Sequence, residues 1–197
     1  MLDWLKNITN NYPEFWKKYI SSFDAKTDRI VVLSTETTGL NSKKDVILSF
    51  GVIGILNNQI IIHDSLEVAI PQYKFLHDNG ITNDFLMESS IPKLVEAQAI
   101  EDLINFIGNS TLVGHRIYFD LEMINEALEK IGCGRVKNEA LDIEVMHKRF
   151  IDANDKAFSL EDLATIFKIK RNERISASDD AFTIAILFLR LKARLKL

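Results

Sequence analysis

The order of apolar runs along this chain predicts an α/β fold, a mixed β-sheet with helices packed against it. Three observations carry the prediction. Three strand-like runs follow one another between residues 30 and 70 with only short turns between them. Helical and strand-like patterns then alternate from residue 93 to residue 196. A length of 197 residues, 47% of them hydrophobic and 26% charged, suits one globular domain with a sizeable core.

Residues 1–27 read as a helical extension ahead of the domain proper at 28–197. Trp4 and Ile8 are four residues apart, as are Trp16 and Ile20, so each pair shares one helical face. Pro13 suits the first turn of the second of two short helices. These helices are expected to pack on the domain, with a dimer or partner interface as the alternative. The period then changes. Ile30–Leu33 is a β-branched run, Val46–Leu56 and Gln59–Ile70 are longer ones, and the Asn57-Asn58 pair suits a tight hairpin. These runs make an antiparallel meander.

Lys93 to Ile107 carries Leu94, Ala97, Ile100, Ile104 and Ile107 at helical spacing and is followed by Gly108. Thr111–Gly114 reads as a short buried strand, and Phe119–Ile131 as a helix ending at Gly132. Another short strand covers Ala140–Asp142 and leads into a helix through Phe150. Ser159-Leu160-Glu161-Asp162 is a capping-box pattern that opens the next helix. Ala177 to Lys196 is a long helix with Ile184, Leu187 and Leu191 on one face. No internal repeat is present.

Composition narrows the function. Only 8 glycines and 3 prolines argue against long low-complexity segments. A net charge of −4 gives no general attraction to a polyanion, so any nucleic-acid contact must use local basic patches and metal ions. The single cysteine, Cys133, cannot form an internal disulfide, which fits a reducing cytoplasm. The first residues carry charges throughout and no continuous apolar stretch, unlike a signal peptide or a membrane span.

Three motifs carry candidate chemistry. In Val31-Val-Leu-Ser34-Thr35-Glu36-Thr37-Thr38-Gly39-Leu40, alternate strand positions point the same way, so Ser34 and Glu36 present their side chains to one face. A two-metal phosphodiesterase would place two carboxylates there, because hard divalent cations take oxygen ligands. The Thr-Thr-Gly-Leu that follows suits a tight turn with backbone N–H groups facing a phosphate. In the second motif, Leu112-Val-Gly-His115-Arg-Ile-Tyr-Phe119-Asp120, a strand runs into a helix whose first turn holds Asp120. A carboxylate there is explained equally by the helix dipole. The third, Arg174-Ile175-Ser-Ala-Ser-Asp179-Asp180-Ala181, opens the last helix, where Ser and Asp also serve as caps.

Taken in order, the motifs resemble the DnaQ-like (DEDD) 3′–5′ exonucleases, the family of the proofreading epsilon subunits of bacterial polymerase III. Its pattern is Asp-x-Glu-Thr-Thr-Gly-Leu, then His-x-x-x-Phe-Asp, then His-x-x-x-x-Asp-Ala. Asn79–Leu86, Leu141-Asp142 and Ser159–Leu163 also look like family segments, and the resemblance spans about residues 28–197. It implies a ribonuclease H-like fold, a five-stranded mixed sheet flanked by helices. It implies Glu36, Asp120 and Asp180 as ligands of two Mg2+ or Mn2+ ions. It implies Thr37, Thr38, Gly39 and Leu40 cradling the terminal nucleotide of a single strand's 3′ end, with Leu40 as an apolar wedge and His115 and Phe119 facing substrate or packing.

Two positions depart from that pattern. Ser34 stands where the family has its metal-bridging aspartate, and Ile175 where it has the histidine general base. Isoleucine has no lone pair, and losing a general base costs about 10²–10⁴ in rate. At most one weakly bound divalent ion is therefore expected, with low or absent turnover. The basic run Lys168–Arg174 reads as a solvated loop or a phosphate contact, and the Arg190, Lys192, Arg194 and Lys196 series as charges complementing the helix dipole. Expected partners are a nucleic-acid 3′ end and, through the N-terminal helices, a polymerase or a second copy. An exonuclease active through an altered site and a protein-interaction module on the same fold are the alternatives.

Overall fold

The computed structural model describes residues 12–72, 89–153, 155–171 and 176–197. The readings made of Trp4 and Ile8, of Asn79–Leu86 and of Ile175 fall outside them. Within them the meander forms as expected. Strands β1 (Ile30–Thr37), β2 (Ile47–Leu56) and β3 (Gln59–Ala69) pair antiparallel. Asn57 and Asn58 both take positive φ, at 52° and 60°, which a two-residue hairpin with the strands' own twist requires. Strands β4 (Thr111–Gly114) and β5 (Ala140–Asp142) then add in parallel beside β1, giving the order β3-β2-β1-β4-β5. The result is a five-stranded mixed sheet flanked by helices.

Alternation along β1 sorts its side chains between two cores. Val31 and Leu33 face a layer built from α1 (Glu14–Ser22), α2 (Glu96–Ile107) and α3 (Ile117–Lys130). Val32 faces the opposite layer of α4 (Ile143–Ile151), α5 (Leu160–Ile166) and α6 (Ala177–Leu195). Helix α1 contributes Trp16 and Tyr19, both buried, to the same core as Val31 and Leu33. Ile184, Leu187 and Leu191 of α6 are buried as their spacing predicts. No helix among the described residues is long and apolar enough to cross a membrane.

Several boundaries differ from the sequence reading, each for a local reason. β1 continues through the motif to Thr37, because Glu36 still pairs with Ser49 on β2. Helix α2 starts at Glu96 rather than Lys93, because the Leu94 N–H donates to the Ala69 carbonyl (3.0 Å) and Lys93 bridges Ala69. Helix α3 starts at Ile117 because Arg116, left-handed at φ 56°, turns the chain there.

Gly51 sets the position of α6. It pairs with Ser34 across β1 and β2, and a Cβ at Gly51 would overlap the Ser178 backbone nitrogen. Only glycine lets the first turn of α6 lie this close to the sheet. Asp180 is thereby seated beside the motif of β1.

Candidate active site

Alternation past Val32 places Ser34 and Glu36 on the α6 side of the sheet and Thr35 on the α3 side. Glu36 is half-buried and accepts a hydrogen bond from the Ser49 hydroxyl (Oγ–Oε2 3.3 Å). Burial raises its pKa above the usual carboxylate range; the Ser49 bond opposes this, and the charges of Asp180 and Glu67 add to it. Asp180 lies in the first turn of α6, whose N-cap Ser176 accepts from the Asp179 N–H. Its pKa is also raised by burial, against the lowering influence of Arg171.

Asp120 comes from the other face. It is buried, and its Oδ1 accepts a 2.6 Å bond from the Thr35 hydroxyl. Burial pushes its pKa up to about 7; the Thr35 bond opposes the shift, while the charges of Asp142 and Asp180 increase it. Glu36, Asp120 and Asp180 therefore share one electrostatic neighbourhood at the end of β1.

A divalent ion needs several oxygen ligands converging on one point. Among the described residues no group of three or more His, Cys, Asp or Glu side chains is placed to hold one. The reasons are local. Ser34 offers a neutral hydroxyl, Asp120 is engaged by Thr35, and Asp180 is paired with the Arg171 guanidinium. As arranged, these residues do not fit a divalent ion.

Lys168 and Lys170 are exposed, as the reading of the basic run as a solvated loop expects, but Arg171 departs from it. Its side chain is 12% exposed and holds Asp180 on one side and Glu161, at 3.0 Å, on the other. The C-terminal basic series also does more than complement a dipole. Arg190 donates to the Phe167 carbonyl, Lys192 to Asn58, and Arg194 stacks over Phe150 and Phe167.

The Thr37–Leu40 turn is tied to Asp45, a residue that sequence reasoning missed. Thr37 Oγ1 donates to the Gly39 carbonyl (2.7 Å) and Thr38 Oγ1 to Asp45 Oδ1 (2.9 Å), while Asp45 Oδ2 accepts from the Asn41 N–H (2.8 Å). A Cβ at Gly39 would come within 2.7 Å of that carboxylate. The Thr38 N–H is spent on the Val46 carbonyl rather than facing outward. Leu40 stands 88% exposed at the tip.

His115 is half-buried, its Nε2 2.8 Å from the Phe158 carbonyl and 3.8 Å from Glu144. Phe119 is half-buried against the α1–α3 core. Glu144, also missed, is a buried hub that accepts from Arg116 Nε (3.0 Å) and the Phe158 N–H (2.9 Å) and pairs with Lys148 (2.9 Å). Burial alone would raise its pKa, but those donors outweigh it and hold the carboxyl at about 2. In the sequence Glu144 shows only as an acidic residue in a first turn.

The family model described as Exonuclease matches residues 31–188. The DNA polymerase III subunit epsilon of Buchnera aphidicola subsp. Schizaphis graminum is 30% identical over 179 residues, covering 83% of this chain and 74% of that protein. A PolC-type DNA polymerase III of Caldanaerobacter subterraneus subsp. tengcongensis is 29% identical over 177 residues, 84% of this chain but 12% of the polymerase. The chain thus spans about an eighth of the PolC-type relatives. In fold it is similar to Escherichia coli Exonuclease I in complex with a dT13 oligonucleotide (TM-score 0.66, 16% identity, 86% of this chain and 42% of that one). It is equally similar to the nuclease domain of 3′hExo, a DEDDh family member bound to rAMP (TM-score 0.65, 14% identity, 86% and 94%). With the motif order, the sheet and these likenesses together, the chain belongs to the DnaQ-like exonuclease family.

Proposed function

We propose that this domain receives the 3′ end of a single-stranded nucleic acid and hydrolyses it slowly or not at all. The observation that carries the proposal is a contrast at the end of β1. The Thr37–Leu40 turn is held by its own hydrogen bonds with Leu40 presented outward, while the carboxylates beside it are diverted to Thr35 and Arg171. In this reading Leu40 stacks against the terminal base and Thr37, Thr38 and Gly39 shape the turn that positions it. Glu36, Asp120 and Asp180 keep the places of metal ligands for Mg2+ or Mn2+ without gathering as a set, and Ser34 and Ile175 supply neither a bridging carboxylate nor a proton acceptor. The relatives, named as a PolC-type DNA polymerase III and a DNA polymerase III subunit epsilon, support a replicative polymerase as partner and a cytoplasmic setting.

Fluorescence anisotropy tests the binding half. A 5′-labelled linear oligonucleotide should bind with salt-dependent affinity, and a circular strand of equal length should compete poorly. Leu40→Ala should weaken binding about tenfold, since each CH2 group covered by the base and taken from water is worth about 0.8 kcal/mol. Equal competition by the circular strand, or no binding of the linear one at low salt, overturns the reading.

A further inference from the structure

We propose that Arg171 is a resident counter-ion that occupies Asp180 and keeps divalent cations out of the cleft. The inference rests on the reading that Glu36 and Asp180 stand in metal-ligand places, and it names what holds the site shut. Arg171 precedes α6 by six positions, and its planar guanidinium spans two helix starts, taking Asp180 from the first turn of α6 and Glu161 from the first turn of α5. At 12% exposure the side chain lies within the protein. Glu161, 66% exposed, pairs with the group from the far side and adds a second contact to the Asp180 pair, while the low exposure of the arginine itself keeps the guanidinium in place.

Charge gives the arrangement its logic. Glu36 feels Asp180 and Glu67, and Asp120 feels Asp142 and Asp180, so the end of β1 concentrates negative groups. Such a cluster needs a positive charge among it. Arg171 supplies one that no accessible pH removes, unlike a histidine or a buried lysine. A serine at position 34 and a guanidinium on Asp180 make the cleft two charges less negative than an Asp-x-Glu motif with a free Asp180. Two charges is what one divalent ion would bring. An incoming ion would have to displace the guanidinium from Asp180 or accept its repulsion at contact distance.

Mn2+ titration of the full chain at pH 7, by calorimetry and by loss of the free-ion paramagnetic signal, tests this. Arg171→Gln should raise the Mn2+ association constant at least tenfold over the unmodified protein. Asp180→Asn in the Arg171→Gln background should remove the gain. Arg171→Lys, which keeps the charge, should retain most of the exclusion, a result that mere packing would not give. Should Arg171→Gln fail to fold by near-ultraviolet circular dichroism, Glu161→Gln loosens the anchor from outside the cleft and should raise affinity in the same direction. Unchanged Mn2+ affinity in folded Arg171→Gln overturns the proposal, as does unmodified protein that binds Mn2+ as tightly as the variant. Binding of a linear strand without metal is read separately: if it persists while the Mn2+ gain is absent, Arg171's role alone falls. If it is absent while the gain is seen, the 3′-end reading alone falls.

Discussion

Replacing Glu144 with glutamine keeps an acceptor for the Phe158 N–H and removes the charge on which Lys148 and Arg116 converge. The fall of the carboxyl from an ordinary 4.5 to about 2 corresponds to about 3 kcal/mol of preference for the charged form in the folded protein. Arg116 is 58% exposed, so its share is screened by solvent; Lys148, at 24%, and the Phe158 N–H carry more of it. A loss of about 2 kcal/mol at pH 7 is expected. Because the folded pKa is depressed, the stabilisation is complete above the unfolded value near 4.5 and disappears as pH falls toward 2. Urea unfolding followed by tryptophan fluorescence should therefore show a wide gap between the two proteins at pH 7 that narrows below pH 4.5 and closes only below about pH 2. The consequence reaches the site, since Arg116 forms the left-handed corner from which α3 carries Asp120. An equal gap at both pH values would show that glutamine disturbs packing and that charge contributes nothing.

Two further substitutions probe how the site is built. Gly51→Ala should push the start of α6 off β2, costing about 1–3 kcal/mol or more, and should lower the thermal midpoint accordingly. Asp120→Asn keeps the acceptor for Thr35 and removes a carboxyl whose pKa burial pushes up to about 7. A raised carboxyl pKa costs stability in full above the folded value and not at all below the ordinary 3.8. The variant should accordingly be more stable by up to about 4 kcal/mol at pH 8 and unchanged near pH 3.5; unfolding titrations at the two pH values decide it.

The fold was legible because its signals are local and periodic. The Asn57-Asn58 hairpin, the apolar face of α6 and the Ser159–Asp162 capping box, present with both of its bonds, each follow from a few neighbouring residues. Motif order singled out Glu36, Asp120 and Asp180, and Asp180 lies within electrostatic reach of the other two at the end of β1. What those side chains do there was not legible, because it depends on partners from other elements. Period-2 alternation assigns Ser34 and Glu36 to a face but says nothing of Asp120, which reaches Thr35 from the far side. Charge runs do not reveal pairing: Lys168 to Arg174 reads as solvated, yet Arg171 closes on two helix starts. Glu144 and Asp45 become hubs because backbone donors from Phe158 and Asn41 join the side chains of Arg116, Lys148 and Thr38 beside them. The helix at residue 96 starts late for the same reason, since the end of β3 claims Lys93 and Leu94 first.

The most direct measurement is release of mononucleotides from 3′-labelled single-stranded DNA and RNA in Mg2+. It compares the unmodified protein with a variant carrying Ser34→Asp, Ile175→His and Arg171→Gln together. The expected result is slow or undetectable release by the unmodified protein and at least a 100-fold gain in the variant, the lower range for recovering a general base alone. Adding Asp120→Ala to the variant should abolish the gain and so exclude a contaminating nuclease. Unmodified protein that already degrades the strand as fast as the variant, and that Asp120→Ala silences, would contradict the impaired site.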